Sequence, residues 1–223
     1  MDTLLLMELT LIQKIAVWSL PILFAITLHE VAHGWVASLF GDQTARFSGR
    51  LSLNPLKHID PIGTVLLPLL MMAVSNVIFG WAKPVPVDPR NLHHPQRDMV
   101  FVAIAGPFAN FLMALFWAGI QKIGMLAVLH DNTWLGTPLA YMGSAGVMIN
   151  IVLLALNLLP LPPLDGAKVL SGFLPRKMAY YFSQMEPYSF FILILLLFSG
   201  ALFYVMGPII VFFLDLINYW FGL

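Results

Sequence analysis

His29, Glu30 and His33 stand in the pattern H-E-x-x-H. On a helix, residues four apart lie on one face, one turn above the other. Both imidazoles can then reach a single Zn²⁺ at about 2.0–2.1 Å. Glu30, one residue further on, lies beside the ligand pair and is placed to take a proton from a water activated by such a metal. The alternative is three polar side chains filling a helix interface. The setting favours chemistry: between about Leu9 and Phe40 the only other charge is Lys14. Ionisable side chains inside an apolar helix are costly and are kept mainly for function.

A catalytic zinc takes three protein ligands and keeps one open position, so a third ligand must come from elsewhere. The remaining histidines are His58, His93, His94 and His130, and most of the acids fall in polar loops. Asp165 stands apart. It follows Asn157 in the run NLLPLPPLDG, where Pro160 stops an apolar helix, Pro162 and Pro163 stiffen the chain, and Gly166 permits a turn that a Cβ would block. Such a rigid, unwound segment at the edge of a membrane helix is tolerated only against protein or a water-filled cavity. The alternative is an aspartate that caps the following helix.

The elements that carry these residues are apolar. Of 223 residues, 60% are hydrophobic and 10% charged, and mean hydropathy is +0.87. Soluble domains carry about 25% charged residues, so a soluble enzyme is excluded, as is a disordered chain. The formal net charge of zero argues against a nucleic-acid partner. The absence of cysteine excludes disulfides, thiolate ligands and a cysteine nucleophile. Acids precede the first lysine of MDTLLLMELTLIQK, so no removable signal peptide is expected.

Four long apolar stretches run from about Leu9 to Phe40, Met99 to Ile120, Pro138 to Leu159 and Tyr188 to Trp220. A fifth, from Pro61 to Phe79, is interrupted by Gly63 and Pro68. At roughly 20 residues per span, the expectation is an all-α polytopic membrane protein with about four to six membrane helices in one domain over 1–223. The last stretch is expected as one helix kinked at Pro208. For His29, His33 and Asp165 to meet, the first and third stretches must run parallel. One of the two segments between them must therefore fail to cross, and 61–79 is the better candidate for a re-entrant or partial helix. Arg46, Arg50, Lys57, Lys83, Arg90, Arg97, Lys168, Arg176 and Lys177 then share one face, against Lys14 and Lys122 on the other. By the positive-inside rule the site faces the cytoplasmic side of a multi-pass protein of the cell membrane.

H-E-x-x-H followed far downstream by N-x-x-P-x(2–4)-D-G, here Asn157, Pro160, Asp165 and Gly166, resembles the site-2 protease family of intramembrane zinc metalloproteases. Gly106-Pro107-Phe108-Ala109-Asn110 matches its G-P-x-x-N element, and GRLSLNP (Gly49 to Pro55) and GWAKPVPV (Gly80 to Val87) are similar to compact prokaryotic members. The likeness runs from about Ala25 to Leu174. It implies one Zn²⁺ per chain held by His29, His33 and Asp165, with Glu30 as catalytic base. The activity implied is hydrolysis of peptide bonds in transmembrane segments of membrane proteins, with the lipid bilayer as surroundings. The length leaves no room for the PDZ domain that many members carry.

Two further expectations concern the substrate. Pro84 and Pro86 lack N–H, whereas Lys83, Val85 and Val87 would keep donors along one edge of a β-like segment that an unwound substrate could join; the alternative is a stiff connector. Asn157 and Asn110 could donate to an oxyanion or hold the substrate backbone, or could serve as interhelical hydrogen bonds. Competing functions are a membrane zinc transporter and a catalytically silent scaffold of the same fold. The glutamate beside the ligand pair and the proline-braced Asp-Gly turn are unneeded in the first, and the complete residue set argues against the second.

Overall fold

The computed structural model describes residues 9–66 and 82–223. Helix α1 (Leu11–Leu39) opens on a capping box in which Thr10 and Gln13 exchange hydrogen bonds. It passes Pro21 unbroken and stops at Gly41, whose φ of +107° suits a residue without Cβ. A short helix α2 (Thr44–Phe47), a 3₁₀ turn at Pro55–Lys57 and a π-helical turn at Pro61–Leu66 follow. The rest of the expected re-entrant segment, 67–79, lies outside the described residues. Residues 82–88 carry no regular secondary structure, and a 3₁₀ turn at Pro89–Asn91 leads into α3 (Pro95–Leu129). Then come α4 (Thr133–Asn157), α5 (Asp165–Phe173), α6 (Arg176–Ser183), α7 (Glu186–Phe198) and α8 (Ala201–Phe221).

Two expectations need correction. No strand occurs among the described residues; the proline-rich segment pairs with no neighbouring strand, because its prolines leave too few donors for a ladder. The last apolar stretch is two helices, and its break is not at Pro208, which sits inside α8. Gly200, with φ +77°, ends α7 and starts α8 in a left-handed conformation that only glycine adopts freely.

Helix directions follow from the joints. The carbonyl of Phe40, at the end of α1, accepts the N–H of His93, just before α3. Residues 41–92 therefore leave and return at one end of the bundle, and α3 runs antiparallel to α1. Three residues, His130 to Asn132, turn α3 into α4, which is thus parallel to α1. This brings the C-terminal end of α4 and the adjoining α5 to the His29–His33 end of α1.

Among the described residues, four helices are long and apolar enough to cross a membrane: Ile12–Leu39, Pro95–Leu129, Thr133–Asn157 and Ala201–Phe221. Large side chains such as Phe108, Phe116 and Phe212 face outward, as suits a surface bathed in hydrocarbon. The chain is an all-α polytopic membrane protein. Its core joins Ala114, Trp117 and Ala118 of α3 to Val147 and Ile151 of α4 and Ile217 of α8. A second cluster at the other end joins Ala155 and Leu159 to Leu193, Leu197, Leu202 and Met206.

Candidate active site

His29 and His33 lie on one face of α1, and Asp165 is the first residue of α5. The two Nε2 atoms are 3.0 Å apart, and Asp165 Oδ2 is 3.2 Å from that of His29 and 3.1 Å from that of His33. All three residues are buried. Asp165 does not act as a helix cap: Leu164 occupies the cap position. Its Oδ1 accepts Lys168 Nζ at 3.0 Å, while Oδ2 is buried and receives no hydrogen bond.

Protonation at the two rings is fixed by what stands behind them. The carbonyl of Val102 can only accept, so His33 Nδ1, at 2.7 Å, carries the proton. Behind His29 the hydrogen-bond directions are set by two other carbonyls, those of Gly146 and Ala25. Asn150 Nδ2 donates to Gly146 O at 2.8 Å, which leaves Asn150 Oδ1 as an acceptor. Asn110 Nδ2 donates to that oxygen at 2.9 Å and to Ala25 O at 3.2 Å. Asn110 Oδ1 must then accept from His29 Nδ1, at 2.6 Å. Both Nδ1 atoms are thus N–H donors, and in the neutral imidazoles both Nε2 atoms present lone pairs.

With both rings neutral, three lone-pair atoms converge with no proton between them. That is repulsive unless a cation joins them. Ligands at about 2.05 Å around a tetrahedral zinc stand about 3.3 Å apart, close to the 3.0–3.2 Å seen here. Two neutral imidazoles and one carboxylate are a catalytic-type zinc set, so the residues fit the metal. Gly106 of α3 lies flat against both rings; a Cβ there would run into His33 Nε2 and into Cε1 of both histidines.

Glu30 points beside this cluster, and its Oε2 accepts the N–H of Val85 at 2.7 Å. His29, Glu30, His33 and Asp165 line a cavity of about 550 Å³ with Pro84, Val85, Val87, Asn157 and Lys168. An adjoining cavity of about 720 Å³ shares Pro84, Pro89, Met99, Pro163, Leu164 and Lys168 with it.

The other candidates fall differently from expectation. Asn157 lines the cavity, with Nδ2 donating to Leu153 O at 3.0 Å. Asn110 is fully buried behind His29, and its donors are taken by Ala25 and Asn150. It stands behind His29, away from the cavity lining, and makes the interhelical hydrogen bonds that were the alternative for it. The donor edge is closed at two of its three positions: Lys83 N–H goes to His58 O at 2.9 Å and Val85 N–H to Glu30. Gly166 does not make a left-handed turn, since its φ is not positive. It is needed for space, because a Cβ would strike the carbonyls of Leu158 and Leu159 at the end of α4. Asn150 and the Val102 carbonyl escaped the sequence reading. An asparagine inside the third apolar stretch was the available signal for the first; a backbone carbonyl leaves none.

Comparison with known proteins agrees with this chemistry. Residues 120–200 match Peptidase family M50. The chain is 36% identical over 191 residues to YwhC of Bacillus subtilis (strain 168), named as a zinc metalloprotease, covering 86% of this chain and 84% of that protein. It is 31% identical over 180 residues to Rip2 of Mycolicibacterium smegmatis, also named as a zinc metalloprotease, covering 81% of this chain and 66% of that protein. RseP of Escherichia coli K12, named as the regulator of sigma-E protease, is 31% identical over 96 residues, 41% of this chain and 21% of its own. No solved structure matches the chain. A likeness spanning most of the length of both this chain and YwhC, on a site built for zinc, places the protein in peptidase family M50, the site-2 protease family of zinc metalloproteases.

Proposed function

We propose that the protein is an intramembrane endopeptidase that hydrolyses peptide bonds within transmembrane segments of other membrane proteins, with its site toward the cytoplasm. One observation carries the reading: His29, Glu30 and His33 belong to a helix of membrane-spanning character, and Asp165 meets them there. His29 lies ten residues, about 15 Å, before the C-terminal end of α1. A substrate that reaches this depth is itself in the membrane. The excess of Lys and Arg at the end where α1 finishes and α3 begins supports the cytoplasmic assignment.

In this reading His29, His33 and Asp165 hold the zinc. When bound, the metal supplies Lewis-acid polarisation and lowers the pKa of water. Glu30 is the base, taking the proton from the attacking water and returning it to the leaving amine. Asn157, on the cavity wall, holds the backbone of the substrate through the N–H that Leu153 does not use. The Lys83–Val87 segment, with only Val87 N–H unengaged among its three expected donors, meets the substrate as a wall rather than as a full strand partner. The reading takes residues 1–223 as one membrane-embedded unit.

The test is co-expression with a panel of single-span membrane proteins, comparing wild type with Glu30→Gln. Cleavage of at least one substrate by wild type alone is expected. Identical cleavage patterns from two zinc-loaded proteins would remove the proposal.

A further inference from the structure

Asp42 follows α1 in the polar run Gly41-Asp42-Gln43-Thr44, where a solvated turn is the ordinary expectation. The structure places it otherwise. Its exposure is 0%, and both carboxylate oxygens are engaged. Oδ1 accepts the Thr44 N–H at 3.0 Å, the Thr44 hydroxyl at 2.5 Å and Asn91 Nδ2 at 3.1 Å; Oδ2 accepts the Asp88 N–H at 2.7 Å. The last two partners lie 49 and 46 residues downstream. Asp42 thus ties the exit of α1 to the far end of the Lys83–Asp88 strap.

The near end is tied separately. Lys83 N–H reaches His58 O, and Arg50 Nη2 donates to the carbonyls of Lys83 at 2.7 Å and Pro84 at 3.2 Å. Between the anchors the strap crosses α1 at two residues four apart. Val85 lies over Gly34, where a Cβ would come within 2.8 Å of Val85 Cγ1, and Val85 N–H meets Glu30 Oε2. Pro84 and Pro86 have no N–H, so Val85 is the one donor of that tripeptide.

We propose that Asp42 is a positioning residue for the catalytic base: it holds the strap in the register that aims the Val85 N–H at Glu30 and so fixes the Glu30 carboxylate beside the metal ligands. This rests on the reading of Glu30 as base. In Asp42→Asn, either orientation of the amide turns an N–H toward a donor, Asp88 N–H on one side or Thr44 and Asn91 on the other. The anchor is lost with little change of shape.

The experiment measures kcat, KM and bound zinc for a cleaved single-span substrate in detergent, using wild type, Asp42→Asn, Val85→Pro and the double variant. Asp42→Asn is expected to lower kcat by about ten- to a hundredfold, the scale of a displaced catalytic group. KM should stay within about twofold and zinc per chain should not change. Because Asp42 acts through the Val85 amide, Asp42→Asn should cost nothing further in the Val85→Pro background. Unchanged kcat, losses that multiply, or lost zinc would each overturn the proposal. Where Asp42→Asn does not fold, Asn91→Ala, which removes one donor from an exposed side chain, should lower kcat about threefold with the same non-additivity; an unaltered kcat overturns it equally. Glu30→Gln separates the two levels. If it is fully active the base assignment fails; if it is inactive while Asp42→Asn is fully active, only the positioning role fails.

Discussion

Replacing Asn110 by leucine tests the most closely determined part of the site. In the wild type, Asn110 Oδ1 accepts from His29 Nδ1 at 2.6 Å, which leaves the Nε2 lone pair facing Asp165 and His33. In Asn110→Leu the ring loses that acceptor. In the metal-free state it can then change tautomer and donate Nε2–H to Asp165 Oδ2, 3.2 Å away. Metal binding must break this new bond and leave Nδ1–H buried without a partner. The cost of a buried unsatisfied donor is about 1–3 kcal/mol, equivalent to about 5- to 150-fold in affinity at 1.36 kcal/mol per decade. That range brackets the 10–100-fold typical of lost supports behind metal-bound histidines. Asn150→Leu keeps the His29 bond and removes the oxygen that orients Asn110 together with the amide donor to Gly146 O, so its effect on zinc affinity should be about three- to tenfold, near the average strength of one interhelical hydrogen bond in membranes and above.

The assay is zinc affinity by chelator competition, with thermal unfolding in excess chelator to follow stability of the metal-free protein. The expected order of affinity is wild type, Asn150→Leu, Asn110→Leu. Equal affinity for Asn110→Leu and wild type would refute the tautomer argument. An Asn150→Leu effect as large as that of Asn110→Leu, with unaltered metal-free stability, would refute the direction of the chain from Gly146 through Asn110 to His29.

Three further predictions follow from the same geometry. Gly106→Ala places a methyl group against both imidazoles; zinc per chain, read by elemental analysis, should fall by more than half while helix content by circular dichroism is retained, since overpacking costs about 1–3 kcal/mol locally. Zinc should raise the melting temperature in a concentration-dependent way, worth about 2.7 kcal/mol at a hundredfold excess over Kd, and Asp165→Ala should abolish that dependence. The third concerns pH. Burial pushes the Asp42 carboxyl up, but the Thr44 hydroxyl, the Asn91 amide and two backbone N–H groups outweigh it and hold it below its ordinary 3.8; Arg90 likewise holds Asp88 at about 2. A depressed carboxylate contributes stability above its unfolded pKa and loses it as pH falls through the folded one. The gap in melting temperature between wild type and Asp42→Asn should hold from about pH 7 to about pH 5 and close only below about pH 3.8. A gap that closes near neutrality would count against the buried Asp42 network.

What was legible in the sequence was what depends on short-range periodicity or on chain-breaking residues. The pairing of His29 with His33 needs only a helix. Asp165 stands out by its place after the stop at Pro160, and the family resemblance chose it as a ligand over a helix cap. Side-chain direction across an interface is not encoded locally, and there the reading failed. Asn110 looked like a substrate group because it is an amide in an apolar helix; only the packing of α3 on α1 shows that it faces away from the cavity. Val85 N–H looked free because its acceptor is a side chain 55 residues earlier. Asp42 looked solvated because Gly-Asp-Gln-Thr is a turn sequence; its burial comes from Asp88 and Asn91 folding back over it. The break at Gly200 was missed because Pro208 is the stronger helix breaker in water, yet α8 accommodates it.

Helix α3 contributes no ligand and no base, yet it decides how the ligands present themselves. Val102, Gly106 and Asn110 are spaced by four and form one stripe on its surface. The stripe runs antiparallel to the histidine pair, with Val102 behind His33, Asn110 behind His29 and Gly106 beneath both rings. Each position does something the others cannot: a carbonyl fixes one tautomer, an amide oxygen fixes the other, and an absent side chain makes the space. Pro107 cannot donate to the Ala103 carbonyl and loosens the turn just beside the one that holds His33. The G-P-x-x-N element is then the complement of H-E-x-x-H, matched to it in period because both are read on helices packed face to face. Shifting either motif by one residue would rotate its stripe by about 100° and separate every one of these contacts at once, which is why the two must keep their register together.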